Sequence, residues 1–242
     1  MSSFRPVGGQ AAFSLLELMV VLVVITGIAA LLLPALNSAK SKAREAVCLG
    51  QLRQWGIGFG LYTDDHGGYL PWEGARDDPD RPDAWYNSVA PYLGKASWSA
   101  LKAEGRAVHT GQPDSIFVCP DSPRRPDVRP YWGYGMNYML INTRGAYGFP
   151  PTPRRRLGAI PRLELTVFLT DKGATPDELK SHPTANPRYD YLSYWHHGGG
   201  NVLFGDAHCG WYEAQRLRDA FQTRSGNLDP ELIWVPDAVH RP

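Results

Sequence analysis

Apolar residues are distributed unevenly along the chain, and the longest apolar run lies near the N-terminus. Residues 13–33 read FSLLELMVVLVVITGIAALLL, and Glu17 is the only charged residue among these 21 positions. At about 1.5 Å per residue, a helix of this length measures roughly 31 Å, close to the ~30 Å hydrocarbon thickness of a bilayer. A buried core helix and a secretory signal peptide are the alternatives, but the run is long for either. We therefore predict a transmembrane helix over residues 13–33.

A second pattern follows Pro34, which we expect to bend the helix because proline removes one backbone hydrogen bond. Apolar residues then recur at alternating steps of four and three: Cys48, Leu52, Trp55, Phe59 and Tyr62. This spacing is typical of an amphipathic helix with one apolar face. The pattern predicts that residues 34–62 extend the helix and pack against the rest of the chain.

The remaining chain has the composition of a globular domain rich in turns, since the 242 residues include 25 Gly and 21 Pro. Apolar periodicity predicts short helical segments at 86–93, 97–104 and 213–223, strands at 115–119 and 163–169, and a hairpin formed by 201–204 and 208–212. The predicted fold class is α+β, with a long N-terminal helix packed on a small antiparallel β-sheet domain.

Composition excludes several function classes. The 25 Lys and Arg residues balance 24 Asp and Glu residues, which argues against a strongly basic nucleic-acid binder and against an acidic disordered protein. Three cysteines are too few for a disulfide-stapled miniprotein or a four-thiolate zinc site. The sequence contains no Walker A motif, Rossmann fingerprint, nucleophile elbow or H-E-x-x-H motif. We expect no nucleic-acid partner and no enzymatic activity.

The start of the apolar run resembles the prepilin cleavage and methylation motif. Residues 12–18 read AFSLLEL, where the motif is usually written G-F-T-L-I-E-L, and Pro34 matches the family's helix-kinking proline. This resemblance, to type IV pilin-like proteins and type II secretion pseudopilins, implies that a prepilin peptidase cleaves between Ala12 and Phe13 and N-methylates Phe13. It also implies that Glu17 pairs with the terminal amine of a neighbouring subunit. Ala12 departs from the motif, which has Gly there.

The resemblance implies four segments: a leader at 1–12, the transmembrane helix at 13–33, its amphipathic extension at 34–62, and a periplasmic, pilin-like globular domain at 63–242. The expected function is that of a structural subunit of a type II secretion pseudopilus or a type IV pilus-like filament. The implied partners are the prepilin peptidase, other pilin or pseudopilin subunits, the inner-membrane assembly platform and membrane lipid.

The expected location is the bacterial inner membrane, which the chain crosses once with its N-terminus in the cytoplasm. Basic residues count against this orientation, because Lys40, Lys42 and Arg44 follow the apolar run and only Arg5 precedes it. Leader processing requires the N-terminus inside, so we follow the motif.

Residues 195–212 carry a second resemblance and read WHHGGGNVLFGDAHCGWY. They resemble the C-terminal H-x9-D-G signature of large pseudopilin-like proteins from planctomycete and verrucomicrobial bacteria, with His196 and Asp206 in the signature positions. Ala207 stands where the signature has Gly, a position that a tight hairpin gives a positive φ. Three further segments look like the same family: residues 70–71, 117–120 and 169–171.

Candidate metal ligands cluster in the same segment. His196, Asp206 and His208 are ligand types suited to zinc or another transition metal, and Asp64 and Asp65 offer carboxylate oxygens suited to calcium. Three interpretations stand: a packed hairpin in which the aspartate caps its own turn, a structural metal site, and a membrane-anchored periplasmic metal-dependent enzyme. We expect these residues to organise the hairpin, and any cofactor to be a structural metal ion, zinc or calcium.

The cysteines predict a disulfide. Cys48 lies on the apolar stripe of the helix, and Cys119 ends an apolar segment predicted to be a strand. The periplasm is oxidising, so a bond between these two residues is expected there. Cys209 competes for either partner.

Overall fold

A computed structural model describes residues 14–74, 78–106, 116–121, 133–141, 154–172, 184–185, 196–222 and 226–236. The chain divides into two compact units, residues 1–42 and 43–242, and the boundary falls within the first helix. The expected leader and Phe13 lie outside the described residues.

The first helix, α1, spans Leu15–Asp65 and ends three residues beyond the predicted end at Tyr62. Its start is fixed by a reciprocal capping pair, in which the Glu17 backbone N–H donates to Ser14 Oγ at 3.2 Å and the Ser14 N–H donates to Glu17 Oε2 at 2.9 Å. This is the capping box expected of a Ser-x-x-Glu sequence. The helix continues through Pro34, and the expected bend there stays a prediction.

The first unit presents an exposed apolar helix. Every described residue from 14 to 40 is exposed, and Leu16, Val23 and Leu31 leave 73%, 71% and 80% of their surfaces accessible. By length and composition α1 can cross a membrane, and none of its most apolar stretch is buried within the protein. The core helix of a soluble protein would be mostly buried, so this surface differs from one.

The C-terminal part of α1 belongs to the second unit and forms part of its core. The predicted apolar stripe is buried throughout, with exposed fractions of 2% or less at Cys48, Leu52, Trp55, Phe59 and Tyr62. The prediction that this part of the helix packs against the globular domain is therefore confirmed.

Short helices supply much of the remaining cover. They are α2 at Trp85–Ser88, a 3₁₀-helix at Ala90–Leu93, α3 at Trp98–Ala103 and α4 at Ala214–Asp219. Ser97 caps α3, since its hydroxyl accepts a hydrogen bond from the Ala100 N–H at 3.1 Å. The three helical segments predicted from the sequence are confirmed within a few residues.

A five-stranded sheet is the centre of the second unit, among the described residues. Its strands are β1 at Tyr134–Asn137, β2 at Val167–Asp171, β3 at Thr184–Ala185, β4 at Gly199–Phe204 and β5 at Cys209–Glu213. The order is β3-β1-β2-β4-β5, and all neighbours pair antiparallel except β3, which lies parallel to β1. A separate antiparallel pair joins β6, Phe221–Gln222, to β7, Gly226–Asn227.

The coarse fold prediction is confirmed: a long apolar helix accompanies a small, mainly antiparallel sheet. The β4–β5 pairing, from Gly199↔Glu213 to Leu203↔Cys209, is the predicted hairpin. One strand prediction is wrong, since residues 116–118 form a turn and a bend. The strand predicted at 163–169 is confirmed in its second half, because β2 begins at Val167 and a 3₁₀-helix at Leu163–Leu165 precedes it.

The sheet is covered on both faces, which explains why all six residues of β4 are buried. Leu203 belongs to the apolar cluster that contains the α1 stripe. Its neighbours Val202 and Phe204 belong to a second cluster, together with Leu217 of α4 and Trp234 of the C-terminal segment. Alternation along the strand thus sends side chains into two cores.

Candidate functional site

His196 is fully buried at the point where the chain enters β4. An antiparallel bridge to Gly199 fixes its backbone, through N···O distances of 3.0 and 3.3 Å. The intervening turn places His197 at φ 52° and Gly198 at φ 81°, and Trp211 Nε1 donates to the His196 carbonyl at 2.7 Å. The hairpin thereby fixes the position of the His196 side chain.

Both imidazole nitrogens of His196 face carboxylates. Nε2 lies 3.1 Å from Asp171 Oδ2 and 3.2 Å from the sulfur of Cys119. Nδ1 lies 3.2 Å from Asp121 Oδ2, in an ion-pair contact that is not aligned as a hydrogen bond. The two carboxylates together favour the protonated ring.

Each carboxylate has further contacts that hold it in place. Asp171 ends β2, and its Oδ2 accepts a hydrogen bond from the Asn201 N–H of β4 at 2.8 Å. Its Oδ1 is buried and has no hydrogen-bond partner among the residues that the structure describes. Asp121 Oδ1 accepts from Arg44 Nε of α1. The cluster therefore connects α1, β2 and the hairpin.

Burial and charge act in opposite directions on His196. Burial lowers the pKa of its imidazole, whereas the hydrogen bond and charge of Asp171 and the charges of Asp121 and Glu45 raise it. The outcome is a pKa above the ordinary value of 6.5.

Two other ionisable groups, Tyr134 of β1 and Cys209 of β5, are held neutral. Burial raises the pKa of Tyr134 well above its ordinary value, and its hydroxyl donates to Gln51 Oε1 of α1 at 2.7 Å. Burial also raises the pKa of Cys209 to about 11, against the opposing charge of Arg53. A thiol with so high a pKa is a poor nucleophile at neutral pH.

A disulfide adjoins His196. The sulfurs of Cys48 and Cys119 are bonded at 2.11 Å, with Cα atoms 5.2 Å apart, and Cys209 is free. This is the pairing that the sequence predicted. Beside it, Trp55 Nε1 donates to the Ile116 carbonyl at 2.9 Å. The segment around Cys119 is thus attached to α1 by a covalent bond and a hydrogen bond.

The predicted metal set is not brought together. His196 precedes β4 whereas Asp206 and His208 follow it, so a six-residue strand, roughly 20 Å at ~3.3 Å per residue, separates them. A shared site of His196, Asp206 and His208 is therefore wrong. Asp206 Oδ1 instead accepts from the His208 N–H at 3.1 Å and lies 2.6 Å from His208 Nδ1. The aspartate caps its own turn.

Ala207 occupies the glycine position of the resembled signature and has φ 70°. The sequence expectation of a positive φ is confirmed. The turn also lies against α1, because a Cβ built on Gly56 would meet the Ala207 Cβ at 2.7 Å. Gly56 therefore allows the hairpin tip to approach the helix.

One group of candidate metal ligands does converge. Ligand atoms of Cys48, Cys119 and His196 all lie within 4.8 Å of one another and are buried. Metals bind the thiolate, and these sulfurs are joined in a disulfide, so the oxidised cluster lacks its sulfur ligands. Asp64 and Asp65, the candidate calcium ligands, are exposed, and Asp65 Oδ2 accepts from the Tyr92 hydroxyl at 3.0 Å.

Sequence reasoning missed Asp171 and Asp121 as members of the site. A signal was present, because residues 117–120 and 169–171 resemble the same pseudopilin-like proteins as the segment that contains His196. The structure brings these three segments together around one imidazole. The resemblance links the three segments but does not indicate that they share one location.

Comparison of the chain with protein-family models, curated proteins and solved structures found no match in any of the three.

Proposed function

We propose that the protein is a structural subunit of a filament of the type IV pilin and type II secretion pseudopilin class. The observation that carries this proposal is the exposed apolar part of α1, with Glu17 in its first turn. Such a surface needs a partner, because contiguous apolar patches of this size mark interaction sites. The inner membrane covers it before assembly, and the same helix of neighbouring subunits covers it in the filament.

Glu17 has the place and chemistry of an assembly residue. A carboxylate within a membrane is costly and requires a compensating partner. Its capping contact with Ser14 accounts for a hydrogen bond but supplies no positive charge. Cleavage between Ala12 and Phe13 creates a terminal ammonium group one residue before Ser14, and we propose that this group of a neighbouring subunit pairs with Glu17.

The second unit has the contacts expected of a globular domain that must stay attached to its N-terminal helix. The Cys48–Cys119 bond and the Arg44–Asp121 pair join α1 to the segment at 116–121. Buried His196 offers its imidazole to carboxylates and a disulfide, with no exposed surface for a substrate. These features favour a rigid structural subunit over the metal-dependent enzyme, whose three candidate ligands are separated. In this proposal the domain lies in the periplasm.

The decisive experiment is intact-mass analysis of the chain purified from bacterial membranes containing an active prepilin peptidase. We expect a product of residues 13–242 carrying one N-methyl group on Phe13. An inactive peptidase variant is the control and should leave residues 1–12 attached. A chain that stays unprocessed with the active peptidase, or is cut after residue 33, would contradict the proposal.

A matched pair of variants tests the role of Glu17. Ser14→Ala removes the capping hydroxyl, worth ~1 kcal/mol, and keeps the carboxylate, whereas Glu17→Ala removes the carboxylate with its hydrogen bond from the Ser14 N–H and keeps the hydroxyl cap. We expect both chains to insert in the membrane and Glu17→Ala alone to lose filament yield, counted by electron microscopy. Equal yields from the two variants would exclude the charge-pairing role.

A further inference from the structure

We propose that Cys48, Cys119, His196 and Asp171 form a zinc site when the disulfide is reduced, so that the metal and the disulfide are alternative states of one buried cluster. This inference does not depend on the proposed filament function. It concerns only the second unit, whose residues supply every ligand.

Cys48, Cys119 and His196 already have their ligand atoms within 4.8 Å of one another, and Asp171 adjoins the histidine. Zinc–ligand bonds of about 2.0 to 2.3 Å place neighbouring ligand atoms about 3.3 to 3.8 Å apart. His196 Nε2 lies 3.2 Å from Cys119 Sγ, and the Asp171 carboxylate reaches the same nitrogen through Oδ2 at 3.1 Å. Reduction frees the two sulfurs to separate to this spacing, and Cys48 Sγ is already within 4.8 Å of the imidazole nitrogen.

Asp171 has an oxygen available for a metal. Its Oδ2 is used by the Asn201 N–H, whereas its Oδ1 is buried and has no hydrogen-bond partner among the described residues. Leaving a buried oxygen unsatisfied costs about 1 to 3 kcal/mol, so such atoms are uncommon in native structures. A bound cation would satisfy this one.

Asp121 supplies the outer contact that metal-binding histidines usually have. When Nε2 binds a metal, the Nδ1–H is generally donated to a carboxylate, which fixes the ring orientation. Asp121 Oδ2 lies 3.2 Å from His196 Nδ1, and Arg44 holds the other oxygen of that carboxylate. In the oxidised chain this contact is not aligned as a hydrogen bond, so metal binding at Nε2 must turn the ring to align it.

The ligand set selects zinc among common metals. Two thiolates, one imidazole and one carboxylate suit a closed tetrahedral zinc site, whereas calcium requires oxygen ligands alone. All four side chains are 1% exposed or less. A site this enclosed would be structural and not catalytic.

The conversion of the disulfide into the zinc site requires a two-electron reductant. A dithiol reductant transfers two electrons and two protons to the Cys48–Cys119 bond, which gives two thiols and leaves the dithiol oxidised to its own disulfide. Binding of Zn²⁺ then releases both thiol protons, as thiolate coordination requires. A small-molecule disulfide reverses the sequence: it accepts the two electrons and two protons from solution and becomes two thiols, the Cys48–Cys119 bond re-forms, and Zn²⁺ is released.

The test uses the full chain purified in detergent. One portion is reduced with a dithiol, freed of excess reductant without oxygen and exposed to zinc chloride; another stays oxidised. After desalting, elemental analysis should find about one zinc per chain in the reduced portion and at least tenfold less in the oxidised portion. Cobalt in place of zinc should give a thiolate-to-cobalt charge-transfer band in the reduced chain alone.

Variants identify the ligands. Cys119→Ser should abolish the cobalt band, and Asp121→Asn should weaken zinc binding by roughly 10- to 100-fold. Cys209→Ser is the matched control, because Cys209 is free and outside the cluster, and it should bind zinc as the parent does. Loss of binding in Cys209→Ser would overturn the proposal.

A measurement on the unmodified chain keeps the test independent of variant folding. Zinc that binds only the folded, reduced chain must raise its melting temperature, whereas the oxidised chain should show no rise. Equal shifts in the two forms, or no shift in the reduced form, would overturn the proposal.

Discussion

Two histidine–aspartate pairs of the second unit, His196–Asp171 and His208–Asp206, are similar in chemistry and opposite in environment. His196 and Asp171 have side chains that are 0% exposed, with Nε2 and Oδ2 3.1 Å apart. His208 and Asp206 lie 2.6 Å apart with 47% and 40% of their side chains exposed. The first pair joins the hairpin to β2, and the second lies within a single turn.

The comparison teaches that burial and sequence separation decide how much such a pair contributes to the stability of the fold. An exposed ion pair is typically worth about 0 to 1 kcal/mol, because water screens it and both side chains lose freedom. Removing one partner of a buried pair costs about 3 to 5 kcal/mol, because the other charge is left uncompensated. The shorter distance of the exposed pair therefore does not make it the stronger contribution.

The largest expected difference comes from removing each aspartate. Asp171→Ala should lower the free energy of unfolding by about 3 to 5 kcal/mol, since it leaves His196 Nε2 and the Asn201 N–H without their carboxylate partner. Asp206→Ala should cost about 1 kcal/mol or less. Urea unfolding of the oxidised chain in detergent measures both, and equal losses would remove the distinction between the two pairs.

The next effect concerns the contact between the exposed turn and α1. Gly56→Ala should destabilise the fold by about 1 to 3 kcal/mol through overpacking, because the new Cβ would lie 2.7 Å from the Ala207 Cβ. Gly60→Ala is the control: its Cβ meets nothing within 4 Å, so it should gain roughly 0.5 to 1 kcal/mol from helix propensity. Thermal unfolding distinguishes the two, and a destabilised Gly60→Ala variant would contradict the packing explanation.

The buried pair should also make the stability of the fold depend on pH through the protonation of His196. The pKa of His196 is raised above 6.5 in the folded chain by Asp171, Asp121 and Glu45 despite burial. The protonated ring therefore stabilises the fold fully below pH 6.5, and this stabilisation is lost as the pH rises through the raised pKa. Urea unfolding from pH 5 to 9 should show this decline relative to His196→Gln. A parent chain that gains stability over the same range, relative to the variant, would contradict the assignment.

The smallest expected effect is at the exposed turn itself. Ala207 has φ 70°, a conformation that favours glycine. Ala207→Gly should stabilise the chain by about 0.5 to 1 kcal/mol, since relief of the unfavourable backbone conformation exceeds the entropy that glycine adds to the unfolded state. Differential scanning calorimetry checks the sign. Combined with Gly56→Ala, it should also reduce the overpacking, so additive effects would exclude the contact between them.

Regular periodicity made much of this fold predictable. The steps of four and three from Cys48 to Tyr62 identify one helical face, and that face is buried. The hairpin was predictable from apolar strands on both sides of a turn. These features depend on residues close in sequence, which is why a pattern suffices.

Features that depend on distant partners were not predictable. The β1 sequence, Tyr-Gly-Met-Asn, has weak strand propensity, and its pairing with β2 determines its conformation. Residues 116–119 are apolar because they fill the core beside α1, although residues 116–118 form a turn and a bend. Asp171 resembles any polar residue ending a strand until the fold places His196 beside it.

The Cys48–Cys119 bond changes how the chain responds to a pulling force. When the two ends of the chain are pulled apart, tension passes through the bonded sulfurs and bypasses the 71-residue loop that they close. Fully extended, those residues would lengthen the chain by about 240 Å at ~3.3 to 3.6 Å each. The oxidised subunit therefore stays shorter under load by about this contour length, and α1 cannot be peeled from the segment that holds Asp121 without breaking a covalent bond.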